Sequence, residues 1–228
     1  MSSPGNGRSQ NFALDFDATE KAFEDIKLWR HRVVELPTET PYFYNMVMSL
    51  LDHMLRQRHY LGVGYKKLSI LLAWACRNLL ELRIYTRYAL QSSQNCKDFA
   101  DDMWVDAIQI FEALKGWIQV SDPGIVTPIL DETIADFRNE KRRRGISRKK
   151  YLDVRTISEN VGLRQEFTYM NKVLSKLVHP TAFSVLTPLD HDVLNRLKLL
   201  IFNAGVEYAL DIYVEIKSHV DNYGMEPK

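Results

Sequence analysis

Across 228 residues the chain sets 30 Lys and Arg against 29 Asp and Glu, a formal net charge of +1, with 46% hydrophobic residues and 2 cysteines. A chain of this length buries about 70% of the surface its unfolded form exposes, so no disulfide or metal staple is required. Near-neutral charge excludes a global field that gathers nucleic acid or membrane, and Cys76 and Cys96 lack CxxC spacing or a ligand cluster, which argues against zinc and for reduced thiols in a cytoplasmic protein.

No apolar run reaches the ~18 residues that cross a bilayer; "LSILLAWAC" lies between Lys67 and Arg77. There is no glycine-rich phosphate loop, HExxH or GxSxG, and no metal or cofactor is expected. Residues 1–15, "MSSPGNGRSQNFALD", are Gly/Ser/Asn-rich without the apolar segment of a signal peptide and are expected to form a disordered tail. Residues 16–222 are expected to form one helical bundle domain, and 223–228 a C-terminal tail.

Helical periodicity dominates the chain beyond the tail, and no alternating strand pattern appears. Ala18 to about Leu36 carries Phe23, Ile26, Trp29 and Val33 near one face and stops at Pro37. The next helix starts with Thr40 as N-cap and Pro41 at its first turn, buries Phe43, Met46, Val47, Leu50, Leu51 and Met54, and is expected to end at Gly62 and Gly64. From Tyr65 to about Gln91 the segment is apolar almost all round, which predicts a central helix covered by others. "CKDFADDMWVDAIQIFEALKGWI" places Phe99, Met103, Trp104, Ile108, Phe111 and Leu114 on a stripe ending near "SDPG"; Asp101 and Asp102 read as surface acids. Thr127-Pro128 opens a shorter helix that runs into a basic stretch. "EFTYMNKVLSKLVH" forms another, and the last runs from about Asp190 to His219, interrupted by Gly205, which permits close packing. The fold class is therefore all-α: one compact bundle of six or seven helices, with 121–162 as an irregular basic excursion.

Two helices carry polar groups where apolar ones are expected. In "AWACRNLLELRIYTRY", Arg77 and Glu81 lie four apart, with Trp74, Asn78 and Tyr85 on the same side. Desolvating either ion alone costs several kcal/mol, so each requires a partner. On the later helix Asn171, Ser175 and His179 step by four over ~80° of circumference, at the border between the apolar face and Lys172 and Lys176. Pro180 disfavours helical geometry at His179, placing the imidazole at a helix C-terminus, where the dipole favours imidazolium and general-acid chemistry. The same residues also read as a structural network: a serine bonding its helix backbone, an asparagine satisfying a carbonyl, a histidine cap. The basic stretch "KRRRGISRKK", with Lys141, Arg142, Arg143, Arg144, Arg148, Lys149 and Lys150, reads either as a solvated connector or as an RNA-contacting arm.

With "ACRNLLELRIY" as an early Arg-x3-Glu helix and "NKVLSKLVHPTA" as a late Ser-x3-His-Pro helix, residues 40 to 215 resemble a bacterial helical family related to the HEPN superfamily. Active HEPN ribonucleases carry Arg-x4-6-His on the late helix. The resemblance implies metal-independent RNA cleavage in a toxin, defence or stress setting, commonly across a homodimer interface, with a protein antidote as a further partner. It implies His179 as acid/base and Lys172 or Arg77 as the cation facing phosphate. Glu81 and Ser175 fall in the same catalytic group, and Asn171 and Asn78 are positioning groups. Lys172 stands where the family has arginine, a point charge in place of a planar fork. The alternative is a non-catalytic, homodimeric helical interaction module whose polar residues form a buried network.

Overall fold

The computed structural model describes residues 16–33, 41–67, 69–122, 124, 127–147, 151–179 and 192–223. Among them it contains helices and no strand: α1 (Phe16–Val33), α2 (Pro41–Lys67), α3 (Ser69–Leu90), α4 (Ser93–Ser121), α5 (Pro128–Arg143), α6 (Val154–Asn160), α7 (Arg164–Val178) and α8 (Asp192–Tyr223). The all-α bundle is as expected from the sequence; the described residues hold 8 helices against the expected six or seven. The addition is α6, whose 7 residues make fewer than two turns and so leave no readable period. No described helix is long and apolar enough to cross a membrane.

The nearly uniform apolar character of α3 has the predicted result. It lies at the centre and packs on α2, α4, α6, α7 and α8. Ala73, Cys76, Leu79, Leu80 and Ile84 are completely buried, facing Leu51 and Met54 of α2, Leu174 of α7 and Ile212 of α8 in one continuous core. The helix α1 lies on α2 and buries Phe23 and Ile26, while Trp29 meets Tyr213 of α8 edge-on with centroids 5.4 Å apart.

Two glycines act by leaving space. The expected end of α2 at Gly62 and Gly64 is not observed, because the helix continues through both to Lys67. A Cβ on Gly64 would lie 2.3 Å from the backbone nitrogen of Leu72, so this glycine lets the start of α3 fold back against α2. On Gly205 a Cβ would lie 2.6 Å from Leu61 Cδ1, which confirms the close approach of α8 to α2.

The 121–162 region is more regular than expected. Thr127 precedes α5 with Pro128 in the first turn, as predicted. The helix ends in a Schellman turn: Gly145 N–H donates to Arg142 O, Ile146 N–H to Lys141 O, and Gly145 takes φ 69°. α6 closes the same way, with Gly162 at φ 72°, Gly162 N–H on Glu159 O and Leu163 N–H on Ser158 O. Both reversals need left-handed backbone, which glycine adopts without a Cβ clash. Between them Leu152 is held at both backbone groups: its N–H donates to the two Asp102 oxygens at 2.9 and 3.0 Å, and its carbonyl accepts from Tyr85 O–H at 3.1 Å. Asp102 is thus no surface acid. It is 6% exposed, with Asp101 beside it buried and paired to Lys97.

Gly64→Ala is expected to lower stability by about 1–3 kcal/mol through overpacking. Gly62→Ala, which meets nothing within 4 Å, should raise it by roughly 0.5–1 kcal/mol through helix propensity. Urea midpoints of the two variants check this, and equal shifts would remove the close-approach account of Gly64.

Candidate functional site

The polar residues of α3 divide between two sides of the helix. On the first side Arg77 Nε donates to Glu81 Oε1 at 3.0 Å, and both side chains keep about a third or a quarter of their exposure (31% and 26%). The i, i+4 spacing pairs them without help from another helix. Next to them Asn78 Nδ2 donates to Gln57 Oε1 of α2 at 3.1 Å, and Gln57 Nε2 lies 3.2 Å from His53 Nε2. Gln57 is buried, so its amide depends on both neighbours. An amide nitrogen donates, so the imidazole accepts and is neutral in this arrangement.

This chain of side chains forms the floor of an open cleft of about 410 Å³ between α2 and α3. Tyr60 and Trp74 form an aromatic wall with ring centroids 5.8 Å apart, and Arg56, Glu81, Leu82 and Tyr85 complete the lining. The sequence grouping of Trp74, Asn78, Glu81 and Tyr85 on one side of α3 therefore holds. Burial and then the Arg56 charge press the His53 pKa below the ordinary histidine value. Burial, reinforced by Glu81 and nearby aspartates, pushes the Tyr85 phenol far above its usual range, so it serves as a hydrogen-bond donor and not as a base.

The α7 stripe stands apart from that cleft, to whose lining α7 contributes no residue. Phe167, Leu174 and Leu177 are buried, while Asn171 and Ser175 are half-buried and share a hydrogen bond of 3.3 Å. His179 ends the helix in extended backbone (φ −88°, ψ 150°), its N–H donating to Ser175 O at 3.1 Å. The helix stop anticipated from Pro180 is thus present. The His179 side chain is exposed, as are those of Lys172 and Lys176.

The second side of α3 carries the most extensive ionic junction, which the sequence reading missed. Arg83, 8% exposed, reaches Glu166 of α7 with Nη1 at 3.0 and 2.9 Å, and Asp211 of α8 with Nη2 at 2.7 Å. Its guanidinium carbon lies 5.4 Å from the centre of the Tyr208 ring. One turn on, Arg87 pairs with Glu215 of α8. Burial raises the Glu215 pKa against the opposing pull of Arg87. The signal was present as two matching four-residue steps, Arg83/Arg87 on the central helix and Asp211/Glu215 on the last one.

The basic stretch is largely engaged with its own helix. Arg143 and Arg144 both pair with Glu140, at 2.8 and 2.6 Å, and their hydrogen bonds hold its carboxyl below the usual range. Arg144 also lies over the Trp104 ring, and Arg142 bonds Asn139. Lys141, Arg142 and Arg143 occupy the last turn of α5, where cations complement the dipole. Arg148, Lys149 and Lys150 lie outside the described residues. Among the described residues no three His, Cys, Asp or Glu side chains gather to hold a metal ion, and Cys76 and Cys96 are both free and buried.

No protein-family model matches this chain, and neither does any curated protein or solved structure.

The His53 arrangement sets a pH dependence. Because its folded pKa lies below the ordinary value near 6.5, the unfolded chain takes up the proton first. The stability of the neutral form is therefore complete above about pH 6.5 and declines as pH falls towards the folded value. His219, lowered by burial, contributes with the same sign. Denaturation midpoints at pH 7.5 and 5.5 should fall with acidity, and His53→Gln should flatten the fall; an unchanged slope in that variant would show that His53 is not coupled to folding.

Proposed function

We propose that this chain is a non-catalytic helical interaction module, in which the unusual polar residues hold helices together. The observation that carries this reading is the fate of the charges on α3. All four are matched within the fold: Arg77 with Glu81, Arg83 with Glu166 and Asp211, and Arg87 with Glu215. A phosphate-binding or acid/base site needs charge left over for its substrate, whereas on this helix Arg77 pairs with Glu81 of its own helix and Arg83 and Arg87 pair with α7 and α8. At the basic end of α5 Arg143 and Arg144 share the single carboxylate of Glu140, and Arg142 bonds the neutral Asn139.

A second reading, an RNA-directed HEPN-like protein, is favoured by the end of α7. There exposed Lys172, Lys176 and His179 stand beside the bonded pair Asn171 and Ser175. In that reading His179 moves the proton during attack by a 2′-hydroxyl, and Lys172 faces the phosphate oxygens.

One experiment separates the two. The purified protein, incubated with total RNA in EDTA beside His179→Ala, should leave RNA intact in both cases, while Arg83→Ala lowers the melting temperature by about 5 °C or more. Cleavage by the wild type that disappears in His179→Ala would overturn the module reading in favour of the RNA-directed one.

A further inference from the structure

The two helices of the α4/α5 hairpin treat solvent differently. Among the described residues α4 packs on α2, α3 and α5, and the main packing partner of α5 is α4. Trp104 and Phe111 of α4 meet Phe137 of α5 with ring centroids 5.6 Å apart, and Arg138 pairs with Glu112 across the seam. Beyond Ile129, which is 76% exposed in its first turn, the outward face of α5 is polar, with Glu132, Asp136, Asn139 and Arg143 exposed. The outward face of α4 is not: Met103 is 54% exposed, Ile110 64% and Trp117 67%. Asp106, three residues after Met103 and four before Ile110, is a charged side chain exposed on the same face.

The spacing of that stripe is regular. Ala100, Met103, Ala107, Ile110, Leu114 and Trp117 follow one another by three and four residues, the seam of a coiled coil. Laid against itself in antiparallel register, the seam forms layers that place small against large: Ala100 opposite Trp117, Met103 opposite Leu114, Ala107 opposite Ile110. A two-fold axis generates each layer twice. Such alternation fills a helix interface without strain. The outward side chains of α4 offer on the order of 600 Å² of apolar surface per copy, most of the ~800 Å² that each partner buries in a specific interface.

We infer that this face binds a second copy of the chain, with α4 packed antiparallel on its two-fold mate and the two hairpins forming a four-helix junction. The inference rests on the module reading and supplies its partner. Self-complementarity favours a second copy over an unrelated helix, because an isologous contact needs one patch that fits itself.

Sedimentation of the full-length chain at tens of micromolar should give a dimer, and Ile110→Glu should give a monomer, with a dimer Kd raised at least ~100-fold. Ile110 is exposed in the single chain, so its replacement should leave the circular dichroism unchanged; Trp117→Lys is the second variant and should act alike. Register is read by oxidation of variants that each add one surface cysteine to the buried Cys76 and Cys96. A mixture of Met103→Cys and Leu114→Cys chains should cross-link, while neither variant should cross-link alone, because each residue lies about 16 Å along the axis from its own copy at 1.5 Å per residue. A monomeric wild type, a dimer untouched by both substitutions, or cross-linking by either variant alone would overturn the inference. A monomer that leaves RNA intact removes the second-copy partner while the module reading stands, whereas a dimer that cuts RNA through His179 removes that reading while the interface stands.

Discussion

The architecture depends on neutralising a charge inside its central helix. With α3 covered by five other helices, the buried Arg83 cannot rely on water, and leaving its guanidinium unpaired would cost several kcal/mol. Arg83 meets that constraint with a planar fork that serves two carboxylates from different helices. Its third nitrogen, Nε, is buried with no hydrogen-bond partner among the described residues, so the two carboxylates carry the whole compensation. The result ties α3, α7 and α8 together at one point, and Arg87–Glu215 repeats the tie to α8 one turn later. Apolar contacts supply most of the burial, but they do not dictate one rotation of α8 about its axis; two charge pairs four residues apart on each helix do.

That fixed frame separates the remaining polar groups. The Asn78–Gln57–His53 chain occupies the α2 side of α3, the Arg83 junction lies between α7 and α8, and His179 ends α7 in the open. Within the Ser-x3-His-Pro helix Ser175 bonds Asn171 and the His179 N–H bonds the Ser175 carbonyl. The clip on Leu152 gives the α4/α5 hairpin a firm base, since the chain returning from α5 is bonded to Asp102 of α4 and Tyr85 of α3. A hairpin anchored in this way presents the outward face of α4 as a preformed surface, and a preformed surface loses little entropy on docking.

Several of these features were legible in the residues. The apolar circumference of α3, the helix stop at His179 before Pro180, Pro128 opening α5 and the close packing at Gly205 all follow from local chemistry. Other features depend on what meets what. Gly64 looked like a terminator because glycine usually is one, and only the position of Leu72 explains why the helix runs on. Asp102 looked solvated because its acceptor role is toward a backbone N–H 50 residues away. Arg77 and Glu81 are complementary within one helix and so legible in it, whereas the partners of Arg83 lie 83 and 128 residues further on.

The central claim is that the charges of α3 are structural, and a double-mutant cycle across the Arg83–Asp211 pair tests it most directly. Unfolding free energies of the wild type, Arg83→Met, Asp211→Asn and the double variant give the coupling. Because Asp211 keeps 35% of its exposure, solvent screening discounts the pair, and the account predicts a favourable coupling of about 1–2 kcal/mol. Additive single effects, with no coupling, would contradict it.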